Sequence, residues 1–210
     1  MGEMSMNKAI HGAVRRDLDR FVSALERFTP GDTARAHGIE AAWANFDDQL
    51  TFHHEGEHRI AWPALESIGV SKDVIAQLDA EHDTMAAALA DARIAMSAFA
   101  ASASRSDADA ALGAIQKLRE VTVAHLDHEE AEIEDLYIEK KDSPEMKAMG
   151  RAFGRVSPAR GGRFFAWVLD GASIDERAAV TEQVPGPVLS VIGGVFGRSY
   201  RKNVAPVWHA

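Results

Sequence analysis

Cysteine is absent from the 210 residues. Disulfides, thiol nucleophiles, iron–sulfur clusters and cysteine-ligated zinc are therefore excluded, and any metal must be held by histidine, carboxylate or water. Excess positive charge is missing too. With 23 Lys and Arg against 32 Asp and Glu the net charge is −9, so no nucleic acid or anionic membrane is expected as a partner, and a cation suits the balance better. No uninterrupted apolar run reaches the ~18 residues of a membrane span. The opening stretch MGEMSMNKAIHGAVRRDLDRF scatters charge and has no apolar signal core. A cytoplasmic chain with no transmembrane segment is expected.

Histidine, in contrast, is plentiful, with nine in the chain. The segment FHHEGEHRIAWP, residues 52–63, is where the pattern is densest. At about 100° per residue, His53 and Glu57 fall into one narrow arc of a helix with Phe46, Leu50 and Ile60. Burying an imidazole or a carboxylate in such a stripe costs about several kcal/mol unless a partner or a metal compensates it. The same spacing returns in HLDHE, where His125 and Glu129 share an arc with Leu118, Val121, Glu132 and Leu136.

Apolar periodicity predicts four long helices: Met6 to about Phe28, Asp32 to about Ile68, Ser71 through Met96, and Ala108 to Glu139. Pro63 is expected to kink or end the second, and the polar run Ser102 to Asp107 is read as a turn. Short connections imply an all-α, antiparallel up-down four-helix bundle over residues 1–142. Residues 143–210 read as a short-helical C-terminal extension packed on the bundle or on a second subunit of a homodimer. Within it PARGG (158–162) is read as a loop, 164–169 as an apolar patch, and Ser173 to Glu176 as a capping box.

Each long helix carries one inward histidine: His11, His53, His82 and His125. From the turn at Pro30, His11 lies 19 residues back and His53 lies 23 forward; from Arg105, His82 lies 23 back and His125 lies 20 forward. A four-residue spread is about 6 Å of helical rise, so all four imidazoles fall at nearly one depth. A lone inward histidine is ordinarily a hydrogen-bonded core residue, and a lone His-x-x-x-Glu is ordinarily a surface pair. Four of them at one level, with Glu57 and Glu129 inside, point to a metal site. His37, His54, His58 and His209 are left out, His54 because it falls off the arc. Arg15, Glu132 and His128 are candidates for a further ligand or for groups behind the ligands. Nitrogen and oxygen donors with carboxylates able to bridge favour a pair of iron ions, with manganese or zinc behind.

The set HGAVRRDL, HHEGEHRIAWP, LDAEHD and HLDHEE resembles the hemerythrin-like, HHE cation-binding family over about residues 8–140. The resemblance implies a four-helix bundle with a non-haem diiron centre, bridged at Glu57 and Glu129, with His11, His53, His82 and His125 as terminal ligands. It departs from oxygen carriers at Ala86, where they have a further histidine, and at Asp135, where a proline is usual. Position 86 is read as lying on the same face as His82, so alanine leaves one metal a ligand short unless water, Glu132 or another carboxylate fills the gap. Binding or turnover of a small oxidant (dioxygen, hydrogen peroxide or nitric oxide) is the function expected, with peroxide decomposition as the candidate enzymatic activity. The alternative is a non-enzymatic iron or oxygen sensor acting through a partner.

Overall fold

The computed structural model describes residues 3–209, and among these the chain is helical with no strand. Helix begins where the sequence supplies a capping oxygen. α1 (Met6–Glu26) and α2 (Thr33–Gly56) start behind Ser5 and Asp32, whose side chains accept from the amides of Lys8 and Arg35. After α2 the helix widens into one π turn, Glu57–Ala61, before α3 (Trp62–Ser67). Pro63 explains the widening, because proline has no amide to donate and its ring collides with the carbonyl four residues back. α4 (Lys72–Ser102) and α5 (Arg105–Glu139) follow Ser71 and Ser104, which accept from the Val74 and Asp107 amides. Each such cap contributes about 1 kcal/mol by satisfying an orphan donor.

The long helices pack in a closed circuit, α1 on α5, α5 on α4, α4 on α2 and α2 on α1. Two of the connecting turns are stitched together: Gly31 donates its amide to Ala103 O at 2.8 Å, and Arg105 donates to the carbonyls of Phe28 and Leu25, both at 3.0 Å. The turn after α1 and the turn before α5 therefore sit at one end of the molecule. Inside, Phe21 meets Trp43 and Phe46 edge to face at 5.7 and 5.6 Å. α4 is the one described helix long and apolar enough to cross a membrane, with a mean hydropathy of 1.2 over its best window, a qualification of the expectation that no such stretch exists. Its packing against α2 and α5 is what a core helix of that composition does.

The remaining helices are α6 (Pro144–Phe153), α7 (Pro158–Val168), α8 (Ile174–Gln183), α9 (Gly186–Val191) and α10 (Arg198–Asn203), with a 3-10 turn at Ala205–Trp208. α8 opens with the complete Ser173–Glu176 capping box. The PARGG loop expectation is corrected: Ser157 caps α7, and Pro158, with no amide to lose, suits its first position. The polar turn also shrinks to two residues, because Ser104 caps α5 from within the run. Trp167 and Val168 of α7 are fully buried in the same core as α1 and α2. Trp167 Nε1 donates to Asp17 Oδ2 at 2.8 Å, Arg20 bridges Asp17 and Asp170, and Tyr200 donates to Asp170 at 2.9 Å. The extension thus packs on α1 and α2 of its own chain.

Candidate metal centre

The α2, α4, α1 and α5 histidines converge on two carboxylates. His53 Nε2 lies 3.0 Å from Glu57 Oε1, and His82 Nε2 lies 3.4 Å from Glu57 Oε2. His11 Nε2 and His125 Nε2 lie 3.2 and 3.7 Å from Glu129 Oε2. Each carboxylate therefore spans imidazoles from two helices. Glu57 and Glu129 are 1% and 0% exposed, a burial that an ionised carboxylate tolerates only beside positive charge.

Donor atoms fall into two groups, each within 4.8 Å internally: His11, His53, Glu57 and Glu129 in one, and His54, Glu57, His82 and His125 in the other. Glu57 belongs to both. Within this small volume both oxygens of Glu57, Glu129 Oε2, His53 Nε2 and His54 Nε2 are buried without a hydrogen-bond partner among the described residues. Lone-pair atoms crowded into one space, His53 Nε2 and Glu57 Oε1 only 3.0 Å apart yet outside hydrogen-bond geometry, are costly in a protein alone, and they are what a cation requires.

Protonation tendencies agree. Burial pushes His54 well below the ordinary histidine value, and burial together with the neighbouring His82 lowers His125. Burial would raise Glu57, yet His53 and His82 beside it hold the carboxyl well below the usual range. Neutral imidazole and ionised carboxylate are the forms that ligate. His11 differs: burial opposes its charge, but Glu129, Glu130 and Glu57 outweigh that and raise it to about 9 in the metal-free chain.

Groups behind these atoms fix their direction. Glu130 Oε1 faces His11 Nδ1 at 3.0 Å and accepts from Arg15 Nη1 at 2.6 Å. Desolvation would raise Glu130, but His11 and Arg15 bring it down to about 2. Glu81 joins His125 Nδ1 at 2.9 Å to His128 Nδ1 at 2.8 Å. A carboxylate at Nδ1 leaves Nε2 as the inward lone pair and makes it more basic. Asn7 Nδ2 donates to Glu129 Oε1 at 3.0 Å. Arg15 and His128 thus lie behind the imidazoles rather than among the donor atoms. Asn7, Glu81 and Glu130 were not anticipated; Asn7 lies one turn before His11, and the other two each adjoin a candidate ligand in sequence.

Three expectations are corrected. His54, expected to fall off the arc, stacks on His82 with ring centroids 4.3 Å apart and planes at 25°. A position 100° from the α2 stripe still faces the interior where α2 meets α4. Glu132 is exposed, because the buried face of α5 runs from Glu129 through Ile133 to Tyr137. Ala86 is exposed as well, and Met85 takes the inward place at that level of α4. His82 also lies near-parallel to Trp62, with ring centroids 5.7 Å apart and planes at 20°.

A family model described as the hemerythrin HHE cation binding domain matches residues 5–137. No curated protein and no solved structure matches the chain.

Proposed function

The chain belongs to the hemerythrin HHE cation-binding family, and on that premise we propose that it is a non-haem diiron protein that binds or turns over a small oxidant, namely dioxygen, hydrogen peroxide or nitric oxide. The observation that carries the reading is the set of five unpartnered donor atoms shared by two groups with Glu57 in common. His11, His53, Glu57 and Glu129 would hold one ion, and His54, His82 and His125 with Glu57 the other. An all-nitrogen-and-oxygen set with no thiolate suits iron first, then manganese and zinc. Bound there, iron supplies Lewis acidity and one-electron chemistry.

The residues of the chain do the rest. Glu130 and Glu81 orient His11 and His125, Trp62 and His54 pack near-parallel to His82, and Leu50, Met85 and Leu126, close in sequence to His53, His82 and His125, are buried. An up-down order of the four long helices fits this reading, since it brings two histidines from each end-to-end pair to one level. A cytoplasmic location belongs to the same proposal.

A second reading, an iron or oxygen sensor, is favoured by one observation: α1 carries His11 on one face and the Asp17–Arg20 clamp on the extension along another. Metal analysis of the purified protein, joined to a near-ultraviolet and visible spectrum, tests the diiron centre. Two irons per chain with oxo-bridge absorption support it, and zinc or no metal overturns it. Peroxide turnover by the iron-loaded protein then separates oxidant chemistry from sensing.

A further inference from the structure

A second concave site lies away from the metal centre, along α1 toward its C-terminal end. It is a cleft of about 820 Å³ between α1, the start of α2 and the last turn of the chain. From His11 to Arg20 and Arg27 is about 14 and 24 Å of helical rise. Four arginines line the cleft, Arg16 and Arg20 from α1, Arg27 just after it and Arg35 from α2, in a chain whose net charge is −9. The two acids on its wall are engaged elsewhere: Asp19 accepts from Arg119 at 2.6 Å, and Asp32 caps α2.

The donors here outnumber the acceptors. Arg16 Nε and Trp208 Nε1, on residues that line the cleft, are covered from solvent and, among the described residues, find no hydrogen-bond acceptor, so an oxyanion in the cleft reaches them through a shift of these two side chains. Arg16 Nη2 serves the carbonyls of Trp167 and Val168, and Arg35 Nη1 serves that of Val207. Arg27 is exposed and has no ion-pair partner among the described residues. Burial makes the Arg16 guanidinium harder to keep charged, the situation an incoming anion relieves. Buried N–H groups without acceptors beside guanidinium forks are the recognition chemistry of a phosphate or carboxylate. The volume is that of an organic ligand rather than a bare ion.

We propose that this arginine-lined cleft binds a small organic oxyanion, a phosphate ester or a polycarboxylate, through Arg16, Arg27 and Trp208. The inference stands apart from the metal centre, and its test does not need metal. The 210-residue protein, metal-free and metal-loaded, is titrated by calorimetry and tryptophan fluorescence at low ionic strength with AMP, citrate, inorganic phosphate and adenosine. AMP or citrate should bind more tightly than phosphate, adenosine should not bind, and added salt should weaken the complex. Arg27→Glu, at an exposed position, should fold normally, keep its metal and lose about tenfold or more in affinity. Trp208→Phe should abolish the fluorescence change. Whichever of AMP and citrate binds better identifies the oxyanion. No binding of either, or undiminished binding by Arg27→Glu, overturns the site; phosphate binding as tightly as both overturns the organic part.

Discussion

His54 lies flat on His82, ring centroids 4.3 Å apart, and so brings a second α2 imidazole to the group that includes His125. That contact changes the inventory of nitrogens. By the resemblance, oxygen carriers have an additional histidine at the position of Ala86; here α2 brings His54 against His82 instead.

The first prediction follows directly. His54→Ala should lower the amount of bound metal, whereas His58→Ala, an exposed residue paired with Asp79, should leave it unchanged. Glu57→Ala should lose the most, since Glu57 belongs to both donor groups. Metal content after dialysis is the measurement, and equal content in His54→Ala and His58→Ala would remove His54 from the site.

Ala86→His should change little. The position is exposed while Met85 is 1% exposed at that level, so an added imidazole starts outside the centre. Metal content and the visible spectrum of the metal-loaded protein should match the parent protein; a changed metal content or spectrum would instead restore the open-position reading of Ala86.

Removing the metal should soften the bundle. Two carboxylates and several imidazoles packed with unpartnered atoms are stabilised by the ion they bind, and its binding energy is folding energy. Chelation should lower Tm by about 10 °C or more if binding contributes several kcal/mol. An unchanged melt after verified metal removal argues against buried ligation.

Asp17 tests the clamp on the extension. It is fully buried, and burial raises its carboxyl despite the Trp167 indole N–H and Arg20. A raised acid contributes stability that is complete below its unfolded value near 3.8 and is lost as pH rises through the folded value, so at pH 7 its charge is a net burden. Asp17→Asn, which can still accept from Trp167, should therefore leave Tm at pH 7 unchanged or higher. Asp17→Leu strands the indole N–H and should cost about 2–4 kcal/mol. Thermal melts of the two variants at pH 7 decide it, and a loss in Asp17→Asn equal to that in Asp17→Leu contradicts the assignment.

Truncation before Ser143 should yield an aggregating protein. Trp167 and Val168 share the core of Phe21 and Phe46, and their removal opens a contiguous apolar face on α1 and α2. Light scattering and gel filtration read the outcome, and a fully metallated, monomeric 1–142 fragment would count against it.

The sequence by itself determined the four long helices, the caps at Asp32 and Ser71 and the inward placement of His11, His53, His82, His125, Glu57 and Glu129. Those features depend on local backbone geometry, on a 3.6-residue period and on i to i+4 spacing, which one strand of text displays. Only the tertiary structure decided that His54 joins them, that Glu132 and Ala86 do not, and that Glu81, Glu130 and Asn7 stand behind the candidate donor atoms. A residue at the margin of one helix's stripe faces inward or outward according to which neighbour covers it, and Ile133 and Met85 took the covered places. Likewise Asp17 and Trp167 are 150 residues apart in the chain, and nothing local to either says that one buried carboxylate accepts from the other's indole. That pairing exists because the extension folds back onto α1, where the desolvated N–H and the carboxylate each leave the other as the available partner.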